Sequence, residues 1–473
     1  MTATPGTAAL EIPEGFRNTW TDIFRSDTLI HLCLMVSIVT GAFQGWLKDR
    51  MGGALPYALS DGAFVAAVFL WVATAAVYRR PLLRSPRGTS MDLIVLAVII
   101  APALYLLAPD TPFLIKVAGL RAWSLFPIGC LIGMSVIRTP GQVRAYVGLI
   151  IIVCLITGLY GINQYIKGPQ EALATALGQE RHGSTVFYDI TGTTTTDFRA
   201  FSTFTYPAPF AGMMVFGILL AAGVLFARAR PALQRIGAAF VIPVLFVAMT
   251  VSGTRAALVT LLVGLLVLGW LRGLSFAQLL LIPTLLIGLH VATILTSGRI
   301  VARYQSLLLH EGETWMYISN PIRTAIQSLA SQPFGLGLGR TGTGVPFAIV
   351  SRMPLNYFVF TDGDIGRASV ELGLIGLVVL GFIVFGLLPR MMTAARALVR
   401  SDETDLALGI GGLVLSTGLV ILIGSPLSTT PHAVIWWLLF GALVRLAMLR
   451  ADQAPATDAP PAGSAEPDAR PAR

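Results

Sequence analysis

Apolar segments of about 20 residues recur along this chain and constrain its fold more than any other feature. A helix needs about 20 apolar residues to cross the roughly 30 Å hydrocarbon core of a bilayer. Of the 473 residues, 55% are apolar and 12% are charged, and mean hydropathy is +0.75. We therefore predict an all-α integral membrane protein with about twelve transmembrane helices. The segments are 27–46, 62–78, 91–108, 114–137, 145–166, 207–227, 236–251, 256–271, 277–297, 369–389, 404–424 and 431–449.

Arginines at the ends of these segments predict the orientation of the membrane domain, residues 27–450. We take residues 1–26, which show no signal-peptide pattern, as a cytoplasmic leader, so the even-numbered connections lie inside. All of those connections are basic, as the positive-inside rule requires. They contain Arg79, Arg80, Arg84, Arg87, Arg138, Arg144, Arg228, Arg230, Arg235, Arg272, Arg390, Arg396 and Arg400. The net charge of +9 therefore reflects orientation and predicts no nucleic-acid partner.

The three cysteines all fall inside apolar segments, so the sequence offers neither a disulfide framework nor metal-ligand spacing. Residues 451–473, rich in alanine and proline, are expected to form a disordered cytoplasmic tail.

Two long connections are predicted to face the periplasm, residues 167–206 and residues 298–368. The first contains a threonine run, Thr193–Thr196, which is either a hydroxyl-rich surface for sugar or part of a solvated spacer. We favour the spacer, because long loops are commonly variable. The second is the longest stretch that a bilayer would not accept, and it concentrates arginine and carboxylate side chains. We therefore place the candidate site in this second, large periplasmic loop.

Asn320 and Pro321 predict the start of a short amphipathic helix inside the large loop. Asparagine is a favoured N-cap, and proline is favoured at the first helical position. Arg323 would lie in the first turn, beside backbone N–H groups that the helix does not use, which is a suitable place for an anion. Gln332 and Pro333 predict the end of this helix.

A glycine-rich stretch follows, and it contains a formal match to a dinucleotide-binding fingerprint, Gly337-x-Gly339-x-x-Gly342. We reject the match because no strand precedes it and no helix-forming run follows it. Two interpretations stay open. The backbone around Arg340 either approaches a ligand closely or is a flexible linker.

Asp362, Asp364 and Arg367 come directly before the next apolar segment. An apolar wall there would raise the pKa of a carboxyl group towards that of a useful general base. The Asp-x-Asp pair would also suit a divalent metal, or it is simply a helix-capping turn; we assign no metal. Glu371 lies about one turn inside the apolar segment, where an ionisable group is costly and usually has a partner. Arg367, four residues earlier, is the expected partner.

Two further arginines are predicted to lie at the outer face. Arg255 is in the short turn that begins at Ser252, and Arg121 is in the outer half of the fourth segment. A lone interfacial arginine is usually explained by snorkelling. Several arginines on the outer side, where the positive-inside rule predicts few, indicate a ligand. Guanidinium groups match the geometry of phosphate. A diphosphate partner would account for the set.

Four short motifs give the region from Val251 to Gly386 a resemblance to the O-antigen ligase and O-antigen or exopolysaccharide polymerase superfamily. They are Ser252-Gly253-Thr254-Arg255, Asn320-Pro321-x-Arg323, Gln332-Pro333-x-Gly335-x-Gly337-x-Gly339 and Glu371-Leu372-Gly373-Leu374-Ile375-Gly376. The rest of the chain is similar only in hydropathy.

The resemblance implies an inverting glycosyltransferase of the bacterial inner membrane with a GT-C-like helical fold. Such enzymes take glycan from undecaprenyl diphosphate at the periplasmic face and pass it to lipid A core or to a growing polysaccharide. Arginines that match Arg255 and Arg323 would hold the diphosphate. The ligases place a histidine shortly before the Glu-x-Gly helix, but this chain has Asp362 and Asp364 there. His432 belongs to another outer loop and does not fit that motif, which favours a polymerase or a ligase-like variant.

The expected mechanism is a single displacement that needs no cofactor. Asp364 or Asp362, near Glu371, would accept the proton of an acceptor hydroxyl. The cations Arg255, Arg323, Arg340, Arg367 and Arg121 would stabilise the departing diphosphate. The alternative is a transporter or flippase of lipid-linked glycans. That class predicts charged groups near the bilayer midplane and two related halves, neither of which is evident in the sequence.

Overall fold

Each of the twelve predicted apolar segments contains a helix in the computed structural model. The structure describes residues 27–51, 55–79, 81–82, 91–107, 111–170, 187–189, 196–227, 229–273, 281–295, 311–342, 345, 350, 353–359, 361, 363–421, 424, 426–427 and 429–453.

The first half of the described chain contains helices and one small antiparallel hairpin. The helices are α1 (Thr28–Ala42), α2 (Gln44–Met51), α3 (Leu55–Val77), α4 (Met91–Ala103, continued by a 3-10 turn at Leu104–Leu107), α5 (Phe113–Leu120, continued by a π-helical turn at Arg121–Leu125), α6 (Ile128–Val136) and α7 (Pro140–Lys167). Strands β1 (Phe187–Asp189) and β2 (Thr196–Phe198) pair with Phe187 opposite Phe198.

The second half of the described chain is helical. Its helices are α8 (Pro207–Phe226), α9 (Ala232–Val251), α10 (Arg255–Arg272), α11 (Leu281–Leu295), α12 (Glu311–Ser331), α13 (Gly363–Gly381, continued by a π-helical turn at Phe382–Leu387), α14 (Leu388–Val399), α15 (Thr404–Leu419) and α16 (His432–Gln453). A 3-10 turn at Leu355–Tyr357 precedes α13.

Eight of the described helices are long and apolar enough to cross a membrane, and the pair α1 and α2, bent by 73°, would add a ninth. The helices Met91–Leu107 and Thr404–Leu419 are apolar but shorter. The fold is therefore that of a multi-pass helical membrane protein. Twelve crossings remain a prediction.

Helices α8 and α16 form the centre of the bundle and are mostly buried. Small residues let neighbouring backbones approach closely, as is common in membrane proteins. At Gly441, an added Cβ would lie 2.1 Å from the carbonyl oxygen of Cys130, so α16 and α6 touch at backbone distance. Gly223 of α8 meets Gly409 of α15 in the same way.

The predicted helix start at Asn320 is wrong. Helix α12 begins at Glu311 and passes through Pro321, so Arg323 is in mid-helix and not in a first turn with unused N–H groups. Arg323 is exposed to the surroundings of the bundle. The anion site proposed for its backbone is therefore absent. The predicted helix end is confirmed, since α12 stops at Ser331, directly before Gln332 and Pro333.

Helix α13 is broken at Gly373, whose φ of 59° and ψ of −136° are not helical. The break leaves carbonyl and N–H groups for the glycine-rich stretch. Leu336 N–H donates to the carbonyl of Val370 at 2.7 Å, and Leu374 N–H donates to the carbonyl of Pro333 at 2.9 Å. An added Cβ on Gly335 would lie 2.6 Å from the carbonyl oxygen of Glu371. Gly335 therefore packs against α13, and Gly339 packs against Ile115 of α5, so the described part of this stretch is not a free linker.

A polar cavity at one end of the helix bundle

A cavity of about 300 Å³ opens at one end of the bundle. Its wall combines hydroxyl groups, one imidazole and apolar side chains, a composition typical of small-molecule sites. The lining residues are Tyr206, Ala208, Pro209, Gly212, Val215, Phe216, Thr254, Ala256, Ala257, Thr260, Thr361, Gly363, Thr417, Val420, Gly424, Pro426, Thr429 and His432. Most come from segments predicted to meet at the periplasmic face.

Four helices begin at this cavity. Pro207, Arg255, Gly363 and His432 are the first residues of α8, α10, α13 and α16, and the wall includes residues at or beside each of these starts. A helix N-terminus carries partial positive charge and backbone N–H groups that the helix leaves unused. Some of these N–H groups are already used here, since Asp364 donates to Ile421 and Gly424 and Ala257 donates to Thr254. The partial positive charge of four converging helix ends still makes the cavity favourable for an anionic group.

His432 provides the imidazole of the cavity wall. It is 3% exposed, and neither ring nitrogen has a hydrogen-bond partner among the described residues, although the carbonyl of Pro209 approaches the ring. Phe216 packs edge-on against the imidazole, with ring centroids 5.1 Å apart. Gly212 leaves the space that the ring occupies, because an added Cβ would lie 2.9 Å from Nε2. A buried imidazole in this state is available to a ligand.

Segment 199–206, which we call the roof segment, closes this end of the bundle. Phe201 and Ser202 donate their N–H groups to Oε1 of Gln164 on α7, at 3.0 and 2.8 Å. Thr203 donates its hydroxyl to the carbonyl of Ala42 at 2.7 Å, at the bend between α1 and α2. These side chains are buried. Residues 201–203 are therefore not solvated, contrary to the spacer prediction, whereas residues 193–195 of the threonine run lie outside the described residues.

Arg199, at the start of the roof segment, holds the turn that leads into α10. Its Nε donates to the carbonyl of Ser252 at 2.9 Å, and its Nη2 donates to Oγ1 of Thr254 at 3.0 Å. Gly253 between them has a φ of 60°, a conformation that favours glycine. Arg255 follows the turn, but its neighbours Thr254, Ala256 and Ala257 line the cavity rather than Arg255 itself.

Asp364 lies beside the cavity and is 1% exposed. Its N–H donates to the carbonyls of Ile421 and Gly424, at 3.0 and 3.1 Å, and its carboxylate accepts from the N–H of Leu427 at 3.5 Å. Asp364 thus fixes the connection between α15 and α16, which carries the wall residues Val420, Gly424, Pro426 and Thr429. Asp362 lies outside the described residues.

Glu371 and Arg367 form the expected pair, away from the cavity wall. Arg367 Nε lies 3.4 Å from Glu371 Oε2, and both side chains are buried. Trp123 donates its Nε1–H to the same oxygen at 2.7 Å, and the guanidinium of Arg367 lies 4.5 Å from the Trp123 ring centroid. Thr341 donates its hydroxyl and its N–H to the other carboxylate oxygen. The geometry is that of a structural tie between three segments.

The other predicted arginines are not gathered at the cavity. Arg121 is ion-paired with Asp61 of α3. The guanidinium of Arg340 lies 4.0 Å from the ring centroid of Tyr357. Arg323 is on α12, which packs against α13, whereas α10, which begins with Arg255, packs against α8 and α15.

Sequence reasoning placed Thr254 at the outer face but gave no role to Thr254, His432 or Arg199. His432 directly follows Pro431 at the start of an apolar segment, on the same predicted side as Arg255, and this position was the available signal. Arg199 carries no comparable signal. Over the described ranges, no cluster of three or more histidine, cysteine or acidic side chains forms a metal site.

The fold and this site together define a multi-pass helical membrane protein with a polar cavity at one end. Comparison with models of known protein families gives no match, and a search of curated proteins likewise finds no match.

Proposed function

We propose that this protein is an inverting glycosyltransferase of the bacterial inner membrane, with twelve crossings and a GT-C-like arrangement. It would move glycan from an undecaprenyl-diphosphate donor to lipid A core or to a polysaccharide acceptor at the periplasmic face. One observation carries the proposal: four helix N-termini converge on a cavity that also contains hydroxyl groups and a buried imidazole. Preorganised donors aimed at developing negative charge are the strongest electrostatic contribution to catalysis of this kind.

The geometry favours His432 over the carboxylates as the proton acceptor. The Asp364 carboxylate is buried, accepts from the N–H of Leu427 and is not part of the cavity wall. Glu371 is engaged with Arg367, Trp123 and Thr341. In the proposed step, an acceptor hydroxyl gives its proton to His432 as its oxygen attacks the anomeric carbon. The bond from that carbon to the diphosphate oxygen breaks, and the diphosphate leaves with both bonding electrons. The configuration at the anomeric carbon is inverted.

Asp364 has a positioning role in this scheme. It ties the N-terminus of α13 to the connection through Gly424 and Leu427, and that connection leads to Thr429 and His432 in the wall. Loss of its carboxylate would remove the bond from Leu427 and leave the two backbone bonds in place, so it would loosen the wall near Leu427 without removing a group that reacts.

One observation favours the alternative, a transporter or flippase of lipid-linked glycans. Helix α13 is discontinuous at Gly373, and broken helices whose N-termini face an anionic substrate are common in transporters. However, the cavity lies where helices begin, at one end of the bundle, whereas transporter sites lie near the bilayer midplane. We therefore keep the enzyme as the first proposal.

Deletion of the gene, followed by electrophoresis of the cell-surface polysaccharides, tests the proposal. Single repeats on the lipid core indicate a lost polymerase, and full-length chains left on the carrier lipid indicate a lost ligase. Carrier-linked single repeats that do not reach the periplasm indicate a lost flippase. An unchanged profile contradicts the enzyme and the flippase alike. Complementation with His432→Asn should fail to restore the wild-type profile at an equal protein level.

A further inference from the structure

Thr254 occupies the N-cap position of α10 but does not cap the helix. An N-cap threonine usually accepts a hydrogen bond from a backbone N–H of the first turn. Here no such bond forms, and Oγ1 accepts from Nη2 of Arg199 at 3.0 Å instead. The Thr254 hydroxyl is therefore oriented by Arg199 and not by the first turn of α10, where the N–H of Ala257 donates to the carbonyl of Thr254 at 3.2 Å.

The hydrogen of the Thr254 hydroxyl also has no acceptor among the described residues. A hydroxyl has one hydrogen to donate, and the bond from Arg199 occupies an acceptor position of the oxygen. Thr254 is 8% exposed and lines the cavity, so this hydrogen is available only to whatever fills the cavity. His432, 3% exposed, adds a second buried group in the same wall; apart from the approach of the Pro209 carbonyl, its nitrogens have no described partner.

We propose that Thr254 binds a phosphate oxygen of the lipid-linked donor and that Arg199 is the residue that positions Thr254 for this contact. The inference deepens the proposed function, on which it rests, by placing the diphosphate at the N-terminus of α10. Arg199 contributes in two ways. It orients the hydroxyl, and through the carbonyl of Ser252 it fixes the turn that ends at the N-cap.

Thr260 provides a matched control on the same helix. It lines the same cavity, but its hydroxyl donates to the carbonyl of Ala256 at 2.9 Å, four residues earlier. Its hydrogen is therefore committed to the helix backbone. Replacement of either threonine by valine keeps the shape of the side chain and removes only the hydroxyl.

The test is a calorimetric titration of the full-length protein in lipid nanodiscs. The probes are farnesyl diphosphate, inorganic pyrophosphate and farnesol, and the variants are Thr254→Val, Thr260→Val, Arg199→Gln and the double variant Arg199→Gln/Thr254→Val. Each variant is compared with wild type by thermal unfolding, so that a loss of folding is recognised.

We expect both diphosphate probes to bind to wild type and farnesol to bind more weakly. A hydrogen bond to a charged group contributes enough binding free energy that its loss in Thr254→Val should lower the diphosphate affinity by about tenfold. Thr260→Val should change it by less than about twofold. Because Arg199 acts through Thr254, Arg199→Gln should weaken binding in the wild-type background and add little to Thr254→Val.

Three results would each overturn the inference. The first is equal diphosphate affinity in Thr254→Val and Thr260→Val, and the second is additive effects of the two substitutions in the double variant. The third is no binding of either diphosphate to wild type. If pyrophosphate binding depends on Thr254 but gene deletion leaves the surface polysaccharides unchanged, the anion site is supported and the proposed enzymatic function is contradicted.

Discussion

Nε of Arg367 lies 3.4 Å from Oε2 of Glu371, one helical turn away, and the two side chains are 1% and 0% exposed. A buried ion pair of this kind adds little stability compared with apolar residues, but removal of one partner leaves an uncompensated charge. Glu371 also accepts hydrogen bonds from Trp123 and Thr341, so it joins α13 to the π-helical turn after α5 and to the glycine-rich stretch.

Replacement of Glu371 by glutamine should destabilise the protein by about 3–5 kcal/mol, because the charge of Arg367 would stay buried without its partner. Thermal unfolding in detergent measures the effect. The double variant Arg367→Met/Glu371→Leu should be less destabilised than Glu371→Gln alone. Arg450→Gln is the control, since Arg450 forms an exposed pair with Glu403 and should change stability little. If Glu371→Gln instead lost activity at an unchanged unfolding temperature, Glu371 would have a catalytic role.

Arg121 should be coupled to Asp61 and not to the substrate. The side chains of this pair are 17% and 16% exposed, so a double-mutant cycle of Arg121→Gln and Asp61→Asn should give a coupling free energy of about 1 kcal/mol. Chemical denaturation of the four proteins provides the measurement. A tenfold loss of farnesyl diphosphate affinity in Arg121→Gln, with no coupling to Asp61, would show that the sequence-based assignment was correct.

Replacement of Gly212 by alanine should impair activity by displacing His432. The added Cβ would lie 2.9 Å from Nε2, so the imidazole must move out of its present position. We expect at least a tenfold loss of glycan transfer, measured by complementation of the deletion strain, with little change in protein level. Gly237→Ala is the matched control, because a Cβ at that helical glycine meets nothing within 4 Å. Equal activity of the two variants would argue against His432 as the proton acceptor.

Gly335→Ala should destabilise the protein by more than Gly273→Ala. The two glycines have nearly equal φ values, 77° and 76°, which residues with a side chain rarely adopt, so an alanine is strained at both positions. At Gly335 the added Cβ would lie 2.6 Å from the carbonyl oxygen of Glu371, whereas at Gly273 it meets nothing within 4 Å. The difference in unfolding free energy between the variants isolates the contact between the glycine-rich stretch and α13. Equal destabilisation would show that this contact is loose.

Hydropathy was sufficient to locate the apolar helices, because the cost of exposing backbone to hydrocarbon leaves few alternatives. It did not locate α12, which lies outside the twelve apolar segments. Every predicted apolar segment contains a helix, and the pairing of Arg367 with Glu371 followed from their spacing. Local rules were less reliable. Asn320 and Pro321 resemble a helix start, yet α12 passes through them, so the local preference did not decide the boundary.

The candidate site could not be predicted in full because its parts are distant in sequence. Arg199 and Thr254 are 55 residues apart, and His432 reaches the cavity only through the packing of α16 in the bundle centre. The arginines were predicted to bind the ligand because a charged side chain is costly near a membrane. In the structure, Arg121 is paired with Asp61, and Arg323 is exposed on a different helix. Threonines carry no such signal in a sequence.

The buried roof segment has a practical consequence for mapping which residues face water. Ser202 is in a connection between helices, yet its side chain is 4% exposed and its hydroxyl donates to the carbonyl of Thr157 on α7. A cysteine introduced there would be shielded from water-soluble maleimides, and a labelling experiment would score this connection as lying within lipid. A topology map that uses cysteine positions chosen by hydropathy alone would therefore give a wrong number of membrane crossings in this region.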